Sequence, residues 1–428
     1  MAGFGEAPTA LDKLYQKVNW RVLPFLLICY TFASLDKINV GFAKLQMQSD
    51  LGFSDAVYGL GAGIFFIGYV LFEVPSNLLL ERIGARTTVA RVMILWGIVS
   101  TGMMFTHSPT SFYLLRFLLG VFEAGFAPAM IYYLTYWYGP KRLAQTTAIV
   151  MVAAPLAGIL GGPTSAYVLA HFTGFGGLSG WQWMFVVEGF PCVILGLLAL
   201  RVLTNHPNDA GWLTAEEKQL LVQTVEARPR REHSFVSVVR DARTYLAAAA
   251  YFCIISSIYT VSFWLPSIIR ANGIHDSMKI GIYSSLPYIA GAFGMFIFGR
   301  LSDRAQERRW HSAVPAILSA IAFAAAVRIT GDFGWSIALI SLATGLIWGA
   351  YIVFWATPSA HLTGSAAAGG IALINTIGSL GGFVSPTVIG WFATTTGSMI
   401  TGLYLMAIVM LLAGLFLAVN PFAARPDA

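Results

Sequence analysis

The chain has 428 residues, of which 57% are hydrophobic and only 11% charged, with a mean hydropathy of +0.70. About a quarter of the residues in a soluble globular domain are charged, so this composition excludes a soluble enzyme and implies an integral membrane protein. The net charge of +6 reads as the surplus of cytoplasmic Lys and Arg that fixes membrane topology, not as affinity for nucleic acid.

A membrane-crossing helix needs about 20 apolar residues. Twelve such stretches follow one another, at about residues 20–43, 56–80, 88–106, 111–136, 143–170, 181–203, 245–270, 279–300, 312–329, 335–359, 366–390 and 395–419. The first is too long for a signal-peptide core and carries charges, so it reads as a retained helix. An even count places both ends of the chain on one side. The loops on that side hold twenty Lys and Arg, against four on the other (Lys44, Arg270, Lys279 and Arg328), which makes both termini cytoplasmic.

Residues 204–243 are the one long polar segment and divide the spans six and six, with an N-terminal bundle over 1–203 and a C-terminal bundle over 244–428. Within this linker, Thr214-Ala-Glu-Glu217 fits a capping box ahead of the amphipathic Leu-Leu-Val-Gln-Thr-Val, predicting a short surface helix that tethers the halves. Cys29, Cys192 and Cys253 lie in apolar spans without metal-ligand spacing and read as packing residues. The seven histidines form no HExxH-type pair and no nucleophile stands beside a base, which disfavours an enzyme. Neither a metal nor a cofactor is implied.

The halves repeat weakly but in register. Asn77-Leu-Leu-Leu-Glu81-Arg82-Ile-Gly-Ala-Arg86 follows the second span and Gly299-Arg-Leu-Ser-Asp303-Arg304-Ala-Gln-Glu-Arg308 the eighth, with Glu81 and Asp303 standing 222 positions apart. In the fifth and eleventh spans, Gly158 and Gly382 stand 224 apart, in Gly158-Ile-Leu-Gly161-Gly162-Pro163 and Gly378-Ser-Leu-Gly381-Gly382. Small residues four apart allow close helix approach, and Gly or Pro at matching places in two halves marks elements that bend or line a central pathway.

Six ionisable residues lie inside spans, all in the first half: Asp36, Lys37, Glu73, Arg116, Glu123 and Glu188. Burying a charge at bilayer depth costs at least about 2.5–3.5 kcal/mol, so such residues mark a pathway or a partner. Arg116 and Glu123, seven residues apart, share a helix face about 10 Å apart along the axis. Asp36 and Asn39 share a face of the first span, and Lys37, turned by about 100°, reaches the same cavity only along its edge. With Asp36 and Glu123 ionised against Lys37 and Arg116, an empty site is near neutral. A bound anion upsets that balance and protonation of Asp36 or Glu123 restores it, coupling substrate to proton. The alternative is two ordinary buried ion pairs. Glu73, near the cytoplasmic end of its span beside Pro75, is expected to anchor the following turn, and Glu188 to be structural.

Leu35-Asp-Lys-Ile-Asn-Val-Gly-Phe42, Glu73-Val-Pro-Ser-Asn77 with Leu80-Glu-Arg-Ile-Gly-Ala-Arg86, and Arg116-Phe-Leu-Leu-Gly-Val-Phe-Glu-Ala-Gly-Phe126 resemble the anion:cation symporter family of the major facilitator superfamily, closest to its tartrate-type and aromatic-acid permeases. The resemblance implies an all-α fold of twelve transmembrane helices in two pseudo-symmetric six-helix bundles, set in a bacterial inner membrane; two halves suffice to form one pathway, so the chain is expected to work as a monomer. It also implies a proton-coupled symporter of a small organic anion, with an exchanger or uniporter as the alternative. It adds Tyr69, Trp355 and Asn375 to Lys37, Arg116 and Asn39 as substrate-binding candidates, with Tyr259 and Trp264 as weaker ones. Glu81, Arg82, Arg86, Asp303 and Arg304 become the motif that governs conformational change. Members of that family usually carry arginine at the place of Lys37, where a lysine loses the bidentate fork. Ala153-Ala154-Pro155 offers no hydrogen-bonding side chain where sugar-acid members have one, which points to a small tartrate-like or aromatic carboxylate.

Overall fold

The computed structural model describes residues 10–226, 240–329, 332–361 and 365–419. Part of the expected linker, residues 227–239, and both ends of the chain lie outside the described residues. Among the described residues, twelve helices are long and apolar enough to cross a membrane. The first six are Ala10–Leu51, Asp55–Ile83, Ala85–Phe105, Pro109–Trp137, Gln145–His171 and Gly180–Val202. The last six are Ala242–Ala271, Ser277–Ala305, Arg309–Arg328, Phe333–Pro358, Gly370–Thr396 and Ile400–Val419. Lipid offers backbone groups no water to bond with, so a helix, which satisfies them internally, is the form these segments take. Polar residues set the starts. Ser54 accepts from the Val57 N–H, Ser108 caps the fourth span ahead of Pro109 in a reciprocal box with Ser111, and Asp276 accepts from the Lys279 N–H.

The first span is longer than its apolar stretch, running from Ala10 to Leu51 until Gly52 turns it at φ 68°. Hydropathy marks only the lipid-facing middle, whereas the helix continues into its flanks. Lys44, which the sequence assigns to an outer loop, is therefore a buried helical residue. The fourth span is interrupted beside its acid, at Ala124 and Gly125, where φ is 86° and a Cβ would crowd the Ser76 hydroxyl.

The two bundles meet along two related seams, between the fifth and eighth spans and between the second and eleventh. Gly158 receives the ring of Tyr288 and Gly382 the ring of Phe66, so the two glycines matched in the sequence play equivalent parts. Toward the ends remote from the termini the seams close. Tyr58 donates to the Phe263 carbonyl at 2.7 Å, Arg270 to the Leu45 carbonyl at 2.8 Å, and the Ala56 N–H to Thr394 at 2.7 Å. One buried apolar cluster runs through the first bundle and across this closed side to Phe263, Trp264 and Ile389. A second, around Tyr251, Ile254 and Phe354, stays within the termini side of the last six spans.

The short helix Ala215–Glu226 forms with its capping box intact: the Glu217 N–H donates to the Thr214 hydroxyl at 3.2 Å and the Thr214 N–H to Glu217 Oε2 at 2.8 Å. Glu217 also pairs with Lys17 at the foot of the first span, at 2.8 Å.

Candidate functional site

Lys37 on the first span and Glu123, next to the break in the fourth, form an ion pair of 2.7 Å. The Lys37 side chain remains 20% exposed and that of Glu123 4%. The ammonium lies over the rings of Phe65 and Tyr69, 5.4 and 5.6 Å from their centroids, and the Tyr259 hydroxyl reaches it from the seventh span. The second carboxylate oxygen of Glu123 is buried without a hydrogen-bond partner. This is a cation and an acid at the mid-membrane meeting of the two bundles, with capacity left over.

The other two charges are held differently from the sequence-based expectation. Asp36 faces the interior of the first bundle, accepting from Asn39 at 2.9 Å and from Trp96 and Ser100. Arg116, fully buried, donates to the carbonyls of Gly61 and Ala62, both at 3.2 Å, and lies 5.1 Å from the Phe65 centroid. No described carboxylate comes within ion-pairing distance of it, and one of its terminal nitrogens has no partner. The roles on the first span are thus reversed. Asp36 and Asn39 turn inward, and Lys37, through its 100° offset, turns to the space between bundles. Arg116 and Glu123 share a face but are separated by about two turns, so the partner of Glu123 had to come from another helix. Glu188 accepts from Ser165 at 2.7 Å and stays inside the first bundle.

Glu73 does not anchor the turn that follows it. Almost fully buried, it crosses to the eleventh span, accepting from the Asn375 amide at 2.6 Å and the Thr376 hydroxyl at 3.1 Å. It stands one helical turn beyond Tyr69 and so on the same face, toward the other bundle. Trp355 packs edge-on against Tyr251 at 4.8 Å, in an aromatic group with Phe354 and near Tyr351. Tyr259 packs on Phe66 at 4.6 Å. Lys37, Glu123, Tyr69 and Tyr259 therefore come together, Asn375 is joined to them through Glu73, and Asp36, Asn39 and Arg116 form a layer behind.

The repeated motifs lie at the termini side, away from this site. Arg86 donates to the Leu200 carbonyl, and its backbone N–H bonds Asn205 at 3.0 Å. Asp303 pairs with Arg308 at 2.7 Å, while Glu81, Arg82 and Arg304 are exposed.

The family model for the Major Facilitator Superfamily matches residues 26–386. The chain belongs to the major facilitator superfamily. A protein of Agrobacterium vitis named "Putative tartrate transporter" is 46% identical over 399 residues, covering 92% of each chain. Another, "Putative metabolite transport protein NicT" of Pseudomonas putida, is 44% identical over 398 residues, covering 92% of this chain and 91% of the relative. The fold matches the crystal structure of a bacterial homologue of the human lysosomal transporter Spinster, with a TM-score of 0.78 at 16% identity, over 99% of this chain and 100% of that one.

In this facilitator the sequence also hid a second charged cluster, on the closed side. Lys44 pairs with Asp55 at 2.7 Å and lies under the Trp264 ring at 3.8 Å and the Tyr58 ring at 4.8 Å. Trp264, a weaker binding candidate, belongs to this closure and not to the Lys37 site. The signal was available in Gly52, which marks the true end of the helix and so places Lys44 two turns inside it.

Proposed function

We propose that this facilitator carries a small carboxylate across the bacterial inner membrane together with a proton, by rocking its two bundles about the Lys37 site. The observation that carries the reading is the Lys37–Glu123 pair, its glutamate buried and its lysine partly so, directed between the bundles and shared with no other described charge at ion-pairing distance. Breaking a buried pair so that one charge is left alone costs about 3–5 kcal/mol. Lys37 can leave Glu123 cheaply only if two replacements arrive together, a substrate carboxylate for the lysine and a proton for the glutamate. One anion with one proton leaves the site's charge unchanged. Arg116 keeps the local potential positive, and Asp36, already supplied with three donors, is the second proton-coupling candidate. With both termini cytoplasmic, the closed seam at Lys44 faces the periplasm and the partly exposed Lys37, Tyr259, Trp355 and Asn375 face the cell interior.

The names of the relatives support a small organic acid. The absence of a hydrogen-bonding side chain at Ala153, Ala154 and Pro155 favours a tartrate-like or aromatic carboxylate over a sugar acid. The test is uptake of a labelled carboxylate panel into proteoliposomes, with and without an inward proton gradient, for wild type and Glu123→Gln. Gradient-driven accumulation of one acid is expected in the wild type. The variant loses accumulation but keeps counterflow. Equal accumulation by both proteins makes Glu123 structural and leaves exchange or uniport.

A further inference from the structure

We infer that Glu73 is a resident stand-in for the substrate's carboxylate, holding Asn375 and Thr376 in the empty carrier and yielding them when substrate binds. This rests on the carboxylate reading above. A carboxylate offers only acceptors, and a carboxylate ligand therefore needs donors from both bundles. The first bundle supplies Lys37 and Tyr69. From the second, Asn375 and Thr376 lie one turn toward the termini side, and in this structure both are spent on Glu73, one on each oxygen, at 2.6 and 3.1 Å. Glu73 has no described cation within ion-pairing distance, so its carboxyl group is held by these two neutral donors, both from the opposite bundle. An intramolecular carboxylate thus occupies the fork that a ligand carboxylate would use.

The bond also spans the bundles on the side where their buried clusters are separate. Glu73 therefore does two things at once. It draws the bundles together when no substrate is present, and it competes with substrate for the same donors. It is a positioning residue, acting through Asn375 and Thr376.

The experiment measures net uptake and counterflow separately, in proteoliposomes, for wild type, Glu73→Gln and Glu73→Asp. Glutamine cannot accept from both donors through carboxylate oxygens, and aspartate keeps the charge but withdraws it from the far bundle. Expected for both is a lower KM in counterflow, by up to about tenfold, the equivalent of one charge-assisted hydrogen bond. Net uptake is expected to fall relative to counterflow, because return of the empty carrier loses its clamp. In a Thr376→Val background the effect of Glu73→Gln should shrink. Variants whose KM and ratio of net uptake to counterflow match the wild type overturn the inference and leave the carboxylate reading standing. So does a parallel loss of both activities in folded protein. A wild type that moves no carboxylate in the panel overturns both.

Discussion

The two bundles divide the chemistry unequally. Every charged side chain buried among the described residues, Asp36, Lys44, Glu73, Arg116, Glu123 and Glu188, belongs to the first six spans. The last six bury hydroxyls instead, among them Ser256, Thr260, Ser284 and Thr344. The difference has a physical reason. A charge in lipid needs a partner, and a partner within the same bundle is available however the two bundles pack against each other. Asp36 finds its donors, Arg116 its two carbonyls and Lys37 its glutamate inside the first bundle. Between bundles, aromatic faces, backbone carbonyls and neutral donors form contacts that part at lower cost. Of the six buried charges, Lys44 reaches across to Trp264 and Glu73 to Asn375, on opposite sides of Lys37; Lys37 itself meets the Tyr259 hydroxyl, and Arg270 reaches back to the Leu45 carbonyl. These are the contacts that a separation of the bundles would break.

The largest expected effect breaks the internal satisfaction of the first bundle. Glu123→Leu alone strands Lys37 and should destabilise the protein by about 3–5 kcal/mol, whereas Lys37→Met combined with Glu123→Leu should regain most of that loss. Thermal unfolding in detergent reads both, and a double variant no more stable than the single one would mean that Lys37 is held by groups outside the pair. A smaller effect sharpens the cross-bundle side. Trp264→Ala removes the ring above Lys44, worth about 1–2 kcal/mol when shielded from water, and should favour opening of the closed seam. A cysteine placed at Gly41, whose Cβ would stand 3.1 Å from the Phe263 carbonyl, should then alkylate faster; an unchanged rate would remove Trp264 from the closure.

The smallest effect is outside both bundles. Lys17 and the Thr214 N–H hold the Glu217 carboxyl below its usual range, so the contact contributes above the ordinary glutamate pKa and fades as pH falls through the lowered one. Being largely exposed, it is worth about 0.5 kcal/mol or less. Lys17→Ala should leave transport unchanged at neutral pH, and a large loss would give the linker helix a part in the cycle.

Much of the architecture was legible in the chain itself. Apolar length predicts twelve spans, Thr214 and Glu217 predict their own cap, and the spacing of Gly158 and Gly382 marks two matched positions, which the structure places on the two seams. These are local properties, or repeats of local properties, and a linear reading carries them. Membership of the central site was only half legible. Which residues are charged and lie at bilayer depth was plain from the sequence; which of them meet was not. Helical periodicity orders side chains around one axis but does not say which face looks into the bundle, so Asp36 and Lys37 exchanged their expected directions. Lys44 was hidden because hydropathy loses a helix where its apolar stretch ends. Glu73 was misread because its partners stand some three hundred positions away. Composition and periodicity determined the membrane, the helices and the set of costly charges; only the packing of one helix against another decided their partners, because an ion pair or hydrogen bond is a property of two surfaces and the chain lists them one at a time.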